Sequence, residues 1–349
     1  MSRRGSGKGC LLRAFLVVFL LIGAVGGMAY YSLQARYAAF QNPVILDFPI
    51  GTTTSAMAQQ LADAGVVHYP WQFLVVRAID PGAKLQAGEY QFARPASVWE
   101  VYHRIVRGDV YFYEITIPEG SNIFDIAGIV DRTGFLKGAD FLKAARDPAQ
   151  IRDLAPEAPT LEGYLFPSTY HITRRTSARQ LCVMMTDLFR KNWRELHLQG
   201  QTMPVHEAVT LASMVEKETA VPEERPVVAS VYKNRLQIGM AMDCDPTTIY
   251  AALLEGRYRG VIHRSDLDSN NPYNTYRHAG LPPGPIANPG AASLKAALSP
   301  SDTNYLFFVA KADGSGGHNF STSIGEHNKA VQEYRHAAGA KPPKHPPKS

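Results

Sequence analysis

The chain has 349 residues, of which 45% are hydrophobic, and its formal net charge is +5. That apolar content is enough for two or three packed modules. The Lys and Arg residues form no block and do not alternate with aromatic residues, which argues against nucleic-acid binding; a mildly basic surface suits an anionic polymer or a membrane. No CxxC or HExxH motif occurs and the histidines lack ligand spacing, so the sequence predicts no metal site and no cofactor.

The first predicted element is a transmembrane helix over residues 14–31 (AFLVVFLLIGAVGGMAYY). This length is at the lower limit for crossing a bilayer and is long for the core of a signal peptide. The basic residues before it predict a cytoplasmic segment over 1–13, with Tyr30 and Tyr31 at the far interface. Small residues near Gly26 leave cleavage as an alternative. We expect a single-pass anchor in the cytoplasmic (inner) membrane, with the rest of the chain outside the cytoplasm.

An imperfect duplication follows over residues 44–190. VILDFPIGTTTSAMAQQLADAGVV and YFYEITIPEGSNIFDIAGIVDRTGF each predict a strand, a glycine turn and a helix that closes at a second glycine. Both glycine pairs, Gly51 with Gly65 and Gly120 with Gly134, have the same separation. Each copy returns through a strand and another helix, which predicts one module over 44–110 and a related module or linking region over 111–199. Small βααβ modules in an exported protein indicate carbohydrate binding; a purely structural duplication is the alternative.

The composition changes near residue 200, and the pattern is helical from there to Tyr250. LASMVEKETA, residues 211–220, predicts an amphipathic helix that carries two acids. At 100° per residue, Glu218 shares an arc with apolar residues, while Glu216 points towards Ala212 and Val209. A carboxyl group on apolar surface has a raised pKa and is a candidate general acid. The helical wheel nominates both acids and does not choose between them, and a solvated surface Glu is the ordinary alternative.

The remaining elements are predicted from helix-capping residues and from Pro, Gly and Asn, which interrupt helices and strands. Asp245 is expected to cap a helix with Pro246 at its first position. Residues 265–290 are rich in Asn, Pro and Gly and predict a loop, followed by a hairpin and a last helix over 323–336. Residues 337–349 predict a disordered tail. Cys182 and Cys244 either pair or remain free thiols.

Several ordered motifs resemble the endolytic murein transglycosylase (YceG-like) family. They are LASMVEKETA, RPVVASVYKNRLQIGMAMDCDPTTIYA, NPYNTYRHAGLPPGPIANPG, HNFSTSIGEHN and, upstream, IPEGSN with LEGYLFPSTY. The resemblance implies an α+β fold with an N-terminal transmembrane helix, LysM-like modules near the membrane and a lysozyme-like catalytic domain over 200–336.

The resemblance also implies an activity and its acid. Family members cleave the MurNAc–GlcNAc β-1,4 linkage inside nascent peptidoglycan strands without water and leave a 1,6-anhydro-MurNAc end. The family's essential acid is the Glu directly followed by Thr, which is Glu218 and not Glu216. One carboxyl group suffices, because the sugar's own 6-hydroxyl group attacks the anomeric carbon.

Six further residues are predicted to line the sugar cleft, with packing roles as the alternative. They lie in LEGYLFPSTY, in NPYNTY and in the proline-rich run after it: Glu162, Tyr164, Tyr170, Asn274, Tyr276 and Asn288. The expected partners are peptidoglycan strands and the peptidoglycan synthases beside which a strand terminator would act. The rival hypothesis is a membrane-anchored peptidoglycan-binding scaffold that recruits wall-synthesis enzymes without catalysis.

Overall fold

The computed structural model of the chain describes residues 7–196 and 203–337. The predicted tail beyond residue 337 and the first six residues of the predicted cytoplasmic segment lie outside these ranges. Helices and strands are mixed, as the sequence predicts. The chain divides into two compact units, with the boundary between Tyr113 and Glu114.

The first helix, α1 (Gly7–Gln34), contains the predicted apolar run and extends past it at both ends. Its segment Phe15–Gln34 is long and apolar enough to cross a membrane, and almost all of that segment is exposed. Only its last turn is packed against the rest of the first unit: Leu33 is buried in that unit's core, and the Gln72 side-chain amide donates to the Ser32 carbonyl at 3.1 Å.

The first unit continues with a strand–helix–helix–strand module and a further helix: β1 (Val44–Phe48), α2 (Thr54–Asp63), α3 (Pro70–Ile79), β2 (Gly88–Phe92) and α4 (Val98–Arg107). The two strands pair antiparallel. Aromatic and aliphatic side chains from every element fill the space between this ribbon and the helices, including Phe48, Leu61, Phe73, Tyr90, Tyr102 and Ile105. Burial of this apolar surface is what stabilises so small a module.

The second unit begins with the same order of elements: β3 (Tyr113–Thr116), α5 (Ile123–Asp131), α6 (Gly138–Ala145), β4 (Thr169–Ile172) and α7 (Ala178–Leu196). Strands β3 and β4 pair with each other. The glycines predicted to close the first helix of each copy, Gly65 and Gly134, both have positive φ, at 69° and 77°. Positive φ costs glycine little, so each helix can end in a left-handed turn.

The mainly helical region belongs to this same unit: α8 (Val205–Glu218), α9 (Arg225–Gln237), α10 (Asp245–Leu254), α11 (Arg264–Leu267), α12 (Ala291–Leu298), β5 (Phe307–Ala310), β6 (His318–Ser321) and α13 (Ile324–Ala337). Helix α8 is central and packs against α9, α10 and α12. The prediction that Asp245 caps α10 is wrong by one residue. Cys244, with extended backbone, is the N-cap, Asp245 is the first helical residue, and the Asp245 carboxylate accepts from the Tyr276 hydroxyl group.

Gly163 is expected to be intolerant of a side chain. Its φ is +87°, and an added Cβ would meet the Pro285 ring and lie 2.8 Å from Val209 Cγ1. Strain and overpacking together should lower the free energy of unfolding by about 2–4 kcal/mol in Gly163→Ala. Thermal and denaturant unfolding would measure this loss.

Gly134→Ala is the matched control in the same unit. Gly134 has φ +77° with no atom within 4 Å of the added Cβ, so only the backbone strain of about 1 kcal/mol should appear. Equal losses in the two variants would contradict the close approach at Gly163.

Candidate active site

The middle of helix α8 is buried on all sides. Every residue from Ala208 to Val215 is buried, so the predicted amphipathic pattern is wrong for this helix. The wheel could not show this, because the polar side chains on its predicted outer face bond inside the protein: Thr210 donates to the His206 carbonyl at 2.7 Å, and Ser213 to the Thr210 carbonyl at 2.7 Å. The helix therefore runs through the centre of the unit, and its last residue, Glu218, lies at a cavity.

The Glu218 carboxyl group lies in poorly solvated surroundings. The Cys244 thiol donates to Oε1 at 3.1 Å, and the Tyr232 hydroxyl group is fully buried beside both side chains. Among the described residues no Lys or Arg forms an ion pair with Glu218. Burial raises the pKa of Glu218 above its ordinary value, and the hydrogen bond from the thiol opposes that shift only in part. This environment favours a protonated carboxyl group.

The cavity at Glu218 has a volume of about 720 Å³ and is open to solvent. Its lining combines acids, aromatic rings and apolar side chains: Glu218, Arg235, Met240, Ala241, Met242, Asp243, Asp245, Tyr276, Phe307, Phe308, Ile324 and His327. Burial also raises the pKa of Asp243. An open cavity with apolar walls and a few polar groups is the usual form of a ligand site.

One guanidinium group holds the wall of this cavity together. Arg235 Nη1 donates to the carbonyl groups of Ala241 (3.1 Å) and Met242 (2.8 Å), and Nε donates to the Leu306 carbonyl at 2.6 Å. Asp243, next in this loop, has φ +48° and is the one non-glycine residue with positive φ in the described ranges. The Arg235 bonds thus stabilise a loop whose backbone conformation is unfavourable by itself.

Glu216, the other acid that the wheel nominated, has a different environment. Its Oε1 accepts from Arg225 Nη2 at 3.3 Å, and its Oε2 accepts from the Gly290 amide at 3.0 Å. Both oxygens are therefore occupied by donors within the protein. Glu216 ties the end of α8 to the starts of α9 and α12, whereas Glu218 faces the cavity.

Two of the residues predicted to line a sugar cleft are buried in a hydrogen-bonded network. Asn288 Oδ1 accepts from the amides of Gly163 (2.8 Å) and Leu165 (2.9 Å), and its Nδ2 donates to the Ser121 carbonyl and to Glu162 Oε1, each at 2.8 Å. Glu162 Oε2 accepts from the first amide of α5 at 2.9 Å. Burial raises the pKa of Glu162 to about 8. The structure places Glu162 and Asn288 in the interior and not on the cavity wall.

Three more of these residues are buried, and one lines the cavity. The Tyr164 hydroxyl group bonds His206 Nδ1 at 2.9 Å, and that of Tyr170 donates to the Phe166 carbonyl at 2.5 Å. The Asn274 side-chain amide donates to the Leu267 and Ser269 carbonyls at 2.9 and 2.7 Å. Tyr276 is the exception, since it lies on the cavity wall and donates to Asp245 at 2.7 Å.

Sequence reasoning missed most of the residues around Glu218. The helical pattern did not show that Tyr232 lies at the site, and the sequence indicated Cys244 only as a thiol of unknown pairing and Asp245 only as a helix cap. Cys182 and Cys244 are both buried and are not joined by a disulfide. The available signal was that all three positions lie within one of the quoted motifs, RPVVASVYKNRLQIGMAMDCDPTTIYA.

The fold and site together define a mixed helix–strand protein with an N-terminal apolar helix and a poorly solvated acid at an open cavity. The model of the YceG-like family matches residues 46–333, and the chain belongs to that family. This confirms the resemblance drawn from the motifs.

Individual relatives agree with this assignment. A Bacillus subtilis (strain 168) protein named endolytic murein transglycosylase is 31% identical over 333 residues, which cover 89% of this chain and 91% of the relative. A Streptococcus pneumoniae (serotype 2) protein of the same name is 27% identical over 355 residues; they cover 92% of this chain and 64% of that longer relative. A crystal structure of a putative yceG-like protein from Listeria monocytogenes matches with a TM-score of 0.55 and 33% identity, over 83% of this chain and 99% of that one.

The two neighbouring acids should respond oppositely to amide substitution. Glu216→Gln removes the nearer and more buried of the two carboxylates that pair with Arg225, whose side chain is 11% exposed, and leaves only Glu119 at 4.0 Å, so it should destabilise the protein by up to about 3 kcal/mol. Glu218→Gln removes a carboxyl group that is unfavourable to ionise in the fold and should not destabilise it. Unfolding free energies of both variants would measure the contrast.

The pH dependence has a definite sign. Because the pKa of Glu218 is raised in the folded state, wild type loses stability relative to Glu218→Gln as the pH rises from the ordinary Glu value to the folded one. The difference between the two proteins should therefore be small at low pH and grow towards neutral pH. A difference that shrinks as the pH rises would contradict the environment described for Glu218.

Proposed function

We propose that this chain is a peptidoglycan lytic transglycosylase with Glu218 as its single catalytic acid–base residue. The observation that carries the proposal is the Glu218 carboxyl group, kept poorly solvated and free of ion pairs with Lys or Arg of the described chain, at the edge of an open cavity. The name of its relatives supports the substrate class. The bond would be the MurNAc–GlcNAc β-1,4 linkage within a glycan strand, and the product a 1,6-anhydro-MurNAc end.

The reaction needs one proton carrier. Protonated Glu218 gives its proton to the glycosidic oxygen as the bond from that oxygen to the anomeric carbon breaks. The 6-hydroxyl oxygen of the same MurNAc then bonds to the anomeric carbon, and its proton passes to the Glu218 carboxylate. The carboxyl group is regenerated and no water is consumed. General acid–base action of this kind contributes roughly 10²–10⁴-fold in rate.

The surroundings of Glu218 fit both halves of this cycle. Burial favours the protonated form needed at the start. Burial also raises the pKa of Cys244 well above the ordinary thiol value, so the thiol stays neutral and can donate to the carboxylate formed midway. Tyr276 and Asp245 lie on the cavity wall, where a hydroxyl group and a carboxylate can bond sugar hydroxyl groups.

The proposal includes a location for the reaction. We propose that α1 crosses the cytoplasmic membrane once with the basic N-terminus inside, which puts the chain that follows α1 outside the cytoplasm. The βααβ modules would be LysM-like and bind glycan. Cleavage close to the membrane would end the growth of nascent strands beside their synthases.

Glu218→Gln should abolish cleavage while preserving the fold. Full-length protein in detergent would be incubated with glycan strands and the fragments analysed by mass spectrometry. Wild type should release anhydro-ended fragments, and the variant should lose at least about 10²-fold in rate. Glu216→Gln is the control, compared per folded molecule at a temperature where both variants are folded. An active Glu218→Gln beside an inactive, folded Glu216→Gln would overturn the assignment.

The ends of the products separate this mechanism from hydrolysis. A hydrolase would use a second carboxyl group, for which Asp243 or Asp245 on the same cavity wall would serve, and would leave reducing ends. Reducing ends would overturn the lytic mechanism. Full cellular function of Glu218→Gln would favour the non-catalytic scaffold.

Cys244 should act as a positioning residue for Glu218. In Cys244→Ala the carboxylate loses a donor, so the pKa of Glu218 should rise further and the alkaline limb of kcat/KM against pH should move to higher pH. The loss of one such hydrogen bond should reduce kcat by roughly 2- to 10-fold. Cys244→Ser keeps a donor and should retain the wild-type pH profile better. Identical profiles for all three proteins would rule out the role.

A further inference from the structure

The exposed face of α3 is apolar along its whole length. Trp71, Leu74, Val75 and Ile79 are 42%, 38%, 37% and 60% exposed, and the exposed Ala78 lies among them. This spacing puts them on one side of the helix, opposite the buried side chains of Gln72, Phe73 and Val76. A helix in water normally carries polar residues on its outer face, so a contiguous apolar face marks an interaction surface.

The only charged residue of α3 does not interrupt this face. Arg77 turns its guanidinium group to the chain that follows the helix, where Nη1 donates to the carbonyl groups of Asp80 at 3.1 Å and Ala83 at 2.5 Å. At the start of the helix, the exposed Tyr69 ring stacks on the Trp71 ring, with centroids 6.5 Å apart and an interplanar angle of 16°. The face therefore begins with two aromatic side chains and continues with aliphatic ones.

The start of α3 is fixed to the end of α1. Gln72 donates to the carbonyl and hydroxyl oxygens of Ser32, at 3.1 and 2.5 Å, and Leu33 lies in the core of the same unit. The exposed rings of Tyr30 and Tyr31 come directly before this attachment point. Four aromatic side chains are thus held near the end of α1, two on α1 itself and two at the start of α3.

The length of α1 sets the depth of that attachment. Its apolar segment Phe15–Gln34 has 20 residues, which at ~1.5 Å per residue is about 30 Å, the thickness of the hydrocarbon core. If α1 spans the bilayer, Ser32 and Leu33 lie at its outer boundary. Tyr and Trp are the side chains that favour this layer, because their rings are apolar and their polar atoms can reach water.

We propose that the apolar face of α3, formed by Tyr69, Trp71, Leu74, Val75, Ala78 and Ile79, lies in the outer interface of the bilayer that α1 crosses. The occupant of the face is lipid, at the level of the headgroups and upper acyl chains. This inference rests on the proposed membrane anchoring by α1 and is independent of catalysis. Its consequence is mechanical: a single spanning helix leaves its unit free to swivel about the helix axis, and a second contact with the bilayer restricts that rotation.

Quenching of Trp71 by brominated lipid tests the proposal. Full-length protein would be reconstituted in phosphatidylcholine vesicles with and without lipids brominated at acyl carbons 6 and 7. Of the three tryptophans, Trp193 is buried and Trp99 lies partly buried on α4. We expect quenching of wild-type fluorescence that is lost in Trp71→Phe and retained in Trp99→Phe. Bromine at carbons 11 and 12 should quench Trp71 less, because the interface is shallow.

A charged variant and an α1 reporter complete the test. Leu74→Glu with Val75→Glu alters exposed side chains, so it should leave the melting temperature unchanged and reduce the quenching of Trp71. Ile50→Glu, at an 88% exposed turn residue, should not reduce that quenching.

Val25→Trp in a Trp71→Phe background reports whether the middle of the apolar segment of α1 is in lipid. Quenching of this α1 reporter without quenching of Trp71 would overturn this inference and leave the anchor standing. If neither is quenched, the anchor fails as well, and glycan cleavage in detergent still tests the catalytic proposal separately.

Discussion

The second unit depends on one buried amide. The Asn288 side chain satisfies both lone pairs of its oxygen and both hydrogens of its nitrogen, and its main-chain groups also bond the turn at residues 120–121. Three chain segments that are distant in sequence therefore meet at a single residue. Two residues later, the Gly290 amide reaches Glu216 and fixes the end of α8. Because a buried polar group is costly when any of its bonds is missing, this arrangement tolerates little displacement of the segments it joins.

The two acids near the end of α8, Glu216 and Glu218, have different surroundings. Positions 216 and 218 are about 200° apart around a helix, so they cannot face the same surroundings. Glu216 points to Arg225 and to the start of α12, where its charge is fully compensated. Glu218 points to the cavity, with a thiol as its donor and no ion pair to Lys or Arg among the described residues. Glu216 thus anchors the end of the helix, while Glu218 lies at the cavity without an ion pair to Lys or Arg of the described residues, and burial raises its pKa.

Local signals predicted the elements well and their surroundings poorly. Strand and helix periods, with glycines such as Gly65 and Gly134, indicated both copies of the βααβ order, since these depend on residues close in sequence. The helical wheel placed Glu218 on an arc with apolar residues, but only the family resemblance selected Glu218 over Glu216. The burial of Glu162, Tyr164, Tyr170, Asn274 and Asn288 was not predictable in this way, because a polar residue in a motif can equally face a ligand or a distant backbone amide. The role of Cys244 depends on a contact with α8 across 26 positions of sequence, which spacing alone does not reveal.

Several energetically unfavourable features lie near the cavity, and hydrogen-bonded networks stabilise the segments of the second unit that carry them. The Tyr232 hydroxyl group is fully buried beside Glu218 and Cys244, Asp243 has a left-handed backbone, and Glu218 is poorly solvated. Each of these costs free energy that folding has to offset. Arg235 bonds the loop that carries Asp243 to α9 and to the start of the last hairpin, and Asn288 joins the turn at residues 120–121 to the segment at residues 162–165. A carboxyl group that is poorly solvated and has no ion pair with Lys or Arg has a raised pKa, as Glu218 does. The proposed acid–base chemistry of Glu218 therefore depends on these networks, because they hold the segments around its poorly solvated carboxyl group in place.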